Sequence, residues 1–206
     1  MKLFHSPASP FVRKVMVLAI EAGIADQLQC VRAAVSPVSR NKDVSIHNPS
    51  GHIPTLLLDD GTAIYDSGVI CQHLDMLHDG TPFVPAEPGQ RIRALGLQAL
   101  GDGILTAGVL MRYESGLRPK ELFWPEWYDG QREKIRGSLK LLEENWIPYL
   151  NGPVNVGIIT IACALGYLDF RFPDEDWRKE YPQLAAWYET FSQRDSMQAT
   201  QHSAVV

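Results

Sequence analysis

The sequence predicts an α/β domain followed by an all-helical one, and three observations carry that expectation. Over the first 78 residues, short strand-like apolar runs alternate with helical patterns in the order β-α-β and then β-β-α. The stretch "DGTPFVPAEPGQ" (79–90) then holds three prolines and two glycines without any apolar period, as a linker does. Beyond it the apolar residues recur only at helical spacing. The expected organisation is an α/β domain over 1–78, a linker over 79–88 and a helical domain over 89–206.

Each element has its own warrant. "KLF" (2–4) is a short strand. In "SPFVRKVMVLAIEAG" (9–23), Ser9 suits the N-cap and Pro10 the first helical position, where a missing N–H costs nothing. Phe11, Val12, Val15, Leu18, Ala19 and Ala22 share one face, and Gly23 fits the position just past the helix end. "LQCVRAAV" (28–35) reads as a strand, and a helix joining two strands favours parallel pairing. Residues 36–52 are polar and irregular, with room for a short helix. "PTLLLDDGTAIYD" (54–66) places two short apolar runs around Asp60-Gly61, a hairpin signal. "SGVICQHLDMLH" (67–78) follows as a helix capped by Ser67. Helices are then expected over 91–116, 130–150, 155–170 and 182–194, the third apolar nearly all round and hence central. The element order of the first domain is that of a thioredoxin-like fold.

Composition narrows the function. Of 206 residues, 45% are hydrophobic and 21% charged, as in soluble globular proteins. The net charge of −5 and the lack of any Lys/Arg block beyond two residues argue against a nucleic-acid or anionic-membrane partner. Cys30, Cys71 and Cys163 sit in or beside apolar runs without metal-type spacing. They read as reduced, mostly buried cytosolic thiols, and no metal is expected. The start "MKLFHSPASP" shows no signal-peptide core, and the longest apolar run, 156–168, is shorter than a membrane span. A cytoplasmic protein is expected.

Three stretches carry chemistry. Ser9 caps a helix whose amides and dipole also favour an anion, so the cap alone and the cap with a ligand role both fit. Ile53-Pro54 enters an apolar strand. A trans edge proline is one reading; a cis bond that turns the backbone N–H and C=O of Ile53 toward a peptide ligand is the other. Asp66-Ser67 is either an ordinary cap pair or a site where a carboxylate takes an ammonium while the helix start takes a carboxylate, as an α-amino acid end group requires.

Residues 9, 53–54 and 66–67, in this order of elements, resemble the cytosolic glutathione S-transferase family over essentially the whole chain. "SPFVRK" is similar to the Ser-Pro-Phe start of serine-type members such as the tau class; omega-class members carry Cys-Pro-Phe there. "NPSGHIPTL…DDGTAIYDSGVICQHL" resembles the family's Asn-Pro-x-Gly-Lys-(Val/Ile)-Pro stretch and acidic-Ser pair. "NVGIITIACALGYLDFRF" with "YPQLAAWYETFSQRDSM" resembles most a bacterial branch of the family.

The resemblance implies glutathione as co-substrate and a homodimer. It implies that Ser9 donates to the thiol sulfur, that Ile53 pairs through its backbone with the cysteinyl unit beside a cis Pro54, and that Asp66 and Ser67 hold the γ-glutamyl end. Asp102 would be the acidic residue supplied by a second subunit. His52 stands where many members have a lysine for the glycyl carboxylate, with Arg40 and Lys42 as compensators. The electrophile would be met between the domains by Phe11, Met111, Arg112 and Tyr113, with Arg112 suited to an acidic one. Serine cannot form a mixed disulfide, so conjugation of the detoxifying kind is expected instead of thiol-disulfide exchange. Alternatives on the same fold are a binding module for glutathione or a protein, and a glutathione-dependent lyase, isomerase or dehalogenase. Arg13 and Lys14 are expected in solvent. Asn155 is expected to cap the central helix, with Ile158 unable to reach back.

Overall fold

The computed structural model describes residues 1–203. They fall into two compact units: Met1–Arg91 together with the segment beginning at Asp195, and Ile92–Arg194.

The first unit is α/β. Its strands are β1 (Lys2–His5), β2 (Gln29–Arg32), β3 (Thr55–Leu57) and β4 (Ala63–Ile64), and its helices α1 (Pro10–Glu21), α2 (Lys42–His47) and α3 (Ser67–Leu74). The sheet order is β2-β1-β3-β4, with β1 and β2 parallel and the other two pairs antiparallel. Lys2 to His5 face Gln29 to Arg32, so β2 is shorter than the apolar run 28–35: β1 offers only four residues to pair with. Leu58 N donates to Thr62 O, and Gly61 turns the hairpin at φ +89°, as Asp60-Gly61 leads one to expect. Gly23 ends α1 at φ +70°.

Three expectations are corrected here. The cap of α3 is Asp66, whose side chain accepts from Gly68 N. Ser67 is the first helical residue, buried at 2% exposure. Arg13 and Lys14 are buried, not solvated. Arg13 reaches the end of the chain, donating to Met197 O at 3.1 Å and Thr200 Oγ1 at 3.4 Å. Lys14 lies 5.9 Å from the Phe11 ring. The thiols are mostly buried, as expected: Cys71 and Cys163 are buried, while Cys30, on an edge strand, is exposed. Finally, the segment after Arg194 forms α9 (Asp195–Ala199), packed on α1, where the sequence suggested no helix.

The second unit is helical: α4 (Pro88–Gly116), α5 (Pro125–Asn145), α6 (Ile147–Leu150), α7 (Val156–Arg171) and α8 (Pro182–Phe191). The single helix expected over 130–150 is two, because Pro148 lacks an N–H and its ring would clash with the preceding turn. Val156 to Leu168 of α7 are all buried, so α7 is the centre of this unit. Its Asn155 cap accepts from Gly157 N and Ile158 N, as expected. Tyr181 gives α8 no side-chain cap; Glu143 of α5 instead accepts from Gln183 N and Leu184 N. α4 is long and apolar enough to cross a membrane, but half of that stretch is buried and its Gly101 and Gly108 lie against α7, the pattern of a core helix.

Candidate functional site

Strand register brings the chemistry-bearing stretches of the first unit to one end of the sheet. Phe4 lies opposite Thr55, so the loop leaving β1 toward Ser9 and the turn entering β3 through Ile53-Pro54 share that end. Leu56 lies opposite Ile64, so β4 delivers Tyr65, Asp66 and Ser67 to the same end. An apolar cluster beneath contains Phe4, Val12, Val44 and Ile53. It therefore ties the first turn of α1 to the Ile53 turn.

At that end Ser9 is the N-cap of α1. Its Oγ accepts from Val12 N at 3.3 Å, and its own N–H donates to Ser6 O. The bond to Val12 uses one lone pair, so the hydroxyl proton is available to an outside acceptor. Ser9 and Phe11 are half-buried.

The Ile53-Pro54 bond is cis. Asn48 holds the preceding turn. It is 1% exposed, its Nδ2 donates to His52 O and Thr55 Oγ1, and its Oδ1 accepts from Ser50 N and Ser50 Oγ. Gly51 turns there at φ +71°, a conformation that favours glycine. His52 is exposed. Arg40 is engaged in the same loop, donating to Ser45 Oγ and Pro49 O at 2.8 Å each, and Lys42 is exposed at the start of α2.

Asp66 is exposed, and the Tyr65-Asp66 peptide bond is also cis. One carboxylate oxygen caps α3 at 3.0 Å from Gly68 N, which leaves the other for a cation.

Nothing in the local pattern points to the contribution of residues 196–202. His202 Nδ1 lies 3.1 Å from Pro7 O, two residues before Ser9, so that nitrogen carries the proton. Ser196 Oγ donates to Glu21 on the far turn of α1. Contacts made across nearly the full chain length leave no local pattern.

The remaining expected site residues lie on α4. Asp102 is half-buried. Met111 is 1% exposed and lines a cavity of about 280 Å³ with Leu139, Leu168 and Trp177 inside the helical unit. Arg112 and Tyr113 are half-buried near the end of α4. Burial pushes the Tyr113 hydroxyl above its ordinary pKa, opposed by the Arg171 guanidinium. Among the described residues no cluster of three His, Cys, Asp or Glu side chains could hold a metal ion.

Comparisons with known proteins agree on one family. Residues 8–77 match the model of the glutathione S-transferase N-terminal domain, and 125–190 that of its C-terminal domain. The chain is 32% identical to the uncharacterized GST-like protein YibF of Escherichia coli K12, over 98% of each chain. A glutathione transferase family member from Pseudomonas fluorescens Pf-5, solved with bound glutathione, is 49% identical with a TM-score of 0.97, over 98% of this chain and 99% of that one. The Pseudomonas protein was also solved with S-(propanoic acid)-glutathione, at a TM-score of 0.92 over 99% and 100% of the two chains. A glutathione S-transferase from Methylobacillus flagellatus with bound glutathione is 30% identical, with a TM-score of 0.87 over 98% and 99%.

Proposed function

Since this chain belongs to the glutathione S-transferase family, we propose that it is a serine-type transferase that uses Ser9 to hold the glutathione thiolate for attack on a small electrophile. The observation that carries this reading is the shared sheet end, where the Ser9 cap, the cis Ile53-Pro54 turn and the Asp66 cap converge. Glutathione would lie across it. The backbone of Ile53 pairs with the cysteinyl unit, and Asp66 takes the γ-glutamyl ammonium. The α3 start at Ser67 takes the neighbouring carboxylate, and His52 faces the glycyl end. Asp102 of a second copy in a homodimer would add to the γ-glutamyl contacts.

The energetics balance. Lowering a thiol pKa by about 2 units takes about 2.7 kcal/mol. A hydrogen bond to a charged acceptor contributes about 1.5–3 kcal/mol, and a helix N-terminus about 0.3–2 kcal/mol. The Ser9 hydroxyl and α1 together supply the shift, so no general base is needed. The sulfur lone pair then forms a C–S bond. The displaced pair leaves with a leaving group, or is protonated from solvent when the acceptor is an activated alkene. A thioether of glutathione in the Pseudomonas relative supports conjugation over thiol-disulfide exchange.

Phe11, two residues beyond Ser9 and half-buried like it, would meet the electrophile. The Escherichia and Pseudomonas relatives support a place in a bacterial branch of the family, and the family's generally soluble character supports a cytoplasmic enzyme. A second reading is a binding module without turnover. It is favoured by an exposed histidine at position 52 and by the engagement of Arg40 within its own loop. Calorimetry with glutathione and an electrophile screen on wild type and Ser9→Ala separate the two. The transferase reading expects both proteins to bind glutathione and only wild type to turn over at full rate. Binding with no Ser9-dependent turnover of any electrophile would favour the binding module.

A further inference from the structure

Two arginines near the ends of α4 and α7, Arg112 and Arg171, have no ion-pair partner among the described residues. α4 and α7 are packed in step. A side chain at Gly101 would meet Thr160, and one at Gly108 would meet the Tyr167 ring. Seven residues separate the two contact points on each helix, so the helices run parallel in register. Four residues further on, the same register brings Arg112 level with Arg171.

The Arg171 guanidinium lies 4.2 Å from the Phe170 ring centroid and 5.8 Å from that of Tyr167. Its Nε is buried and has no hydrogen-bond acceptor among the described residues. Arg112 lies over Gly116, in the space a side chain there would fill. The ion pairs of this unit occupy Arg118, Arg132, Arg136, Lys140, Arg178 and Lys179; among the described residues none involves Arg112 or Arg171. Helix C-termini favour cations, and that accounts for two positive charges near the ends of α4 and α7. It does not account for a buried N–H donor without an acceptor, because such donors are nearly always paired.

We propose that Arg112 and Arg171, with the Tyr113 hydroxyl beside them, form a recognition site for a small carboxylate ligand within the helical unit. A carboxylate supplies the missing acceptor in the geometry that guanidinium groups favour, two parallel N–H···O bonds. The Tyr113 phenol donates as well. Burial holds its hydroxyl above the ordinary pKa, against the opposing pull of Arg171, so it keeps its proton at neutral pH. The rings of Phe170 and Tyr167 offer the apolar wall for the body of the molecule. A neutral amide of the same shape presents one acceptor and no charge, and so discriminates recognition of charge from simple apolar packing.

The test is calorimetry of 3-phenylpropanoate and its carboxamide on wild type, Arg171→Gln and Arg112→Gln, with glutathione titrated separately and thermal midpoints compared. The proposal expects the acid to bind at least tenfold tighter than the amide. Either variant should cut that preference by about tenfold while glutathione affinity stays within twofold. Equal binding of acid and amide by wild type overturns it. So does an unchanged preference in both folded variants. Should one variant fail to fold, the other decides. A retained acid preference in a protein that does not bind glutathione would sink the transferase reading and leave a carboxylate site of another purpose.

Discussion

Two helices of this protein begin with a short polar cap, and the difference between them separates function from structure. Asn155 starts α7 in the centre of the helical unit. It is 7% exposed and spends its whole side chain: Oδ1 accepts from Gly157 N and Ile158 N, and Nδ2 donates to Tyr149 Oη and Pro153 O. Ser9 starts α1 at the open end of the sheet. It is half-buried, accepts one N–H at 3.3 Å, and keeps its proton. The same local rule selects both residues. What distinguishes them is what is left over after the cap is made: nothing at Asn155, a donor beside a helix N-terminus at Ser9.

That contrast orders the expected effects. The largest loss of stability belongs to Asn155→Ala, which removes a cap and strands buried partners, at roughly 2–3 kcal/mol. Chemical denaturation reads it, and a loss no larger than that of Ser9→Ala would break the contrast. Ser9→Gly sharpens it from the other side. Glycine in place of a serine cap costs only a few tenths of a kcal/mol, so stability should stay within about 0.5 kcal/mol of wild type, while turnover falls by about tenfold or more because the side-chain donor is gone. Full turnover in that variant would mean that the α1 dipole alone holds the thiolate.

The smallest effect concerns acid. His5, at the end of β1 that leads to Ser9, has its pKa lowered by burial and then by the nearby Arg32 charge. A histidine lowered in the folded state binds its proton more readily when unfolded. Stability should therefore be full above the ordinary value near 6.5 and decline as the pH falls through it toward the lowered folded value. His5→Gln should flatten that slope in denaturation between pH 7 and pH 5. An identical slope would assign the acid sensitivity elsewhere.

Much of the fold was legible because its signals are local. Ser9-Pro10, Gly23, Asp60-Gly61 and Asn155 each announce a turn or a cap through their own backbone preferences, and the structure holds each in that role. The choice between Asp66 and Ser67 was not legible, since both residue types cap helices and only the three-dimensional start of α3 decides. Burial of Arg13 was hidden for a different reason: its acceptors, Met197 and Thr200, lie at the other end of the chain. The pairing of Arg112 with Arg171 was hidden in the same way, because it follows from how α4 and α7 pack at Gly101 and Gly108, while each arginine alone reads as an ordinary helix-end cation.

The central claim is that Ser9 both caps α1 and holds a thiolate. The most direct measurement is the ultraviolet thiolate absorbance of bound glutathione as pH is varied, on wild type and Ser9→Ala. The account predicts ionisation in wild type about 2 units below the free thiol, with that shift largely lost in Ser9→Ala while glutathione still binds. A shift of equal size in the two proteins, both binding glutathione, would contradict it and leave Ser9 as a cap alone.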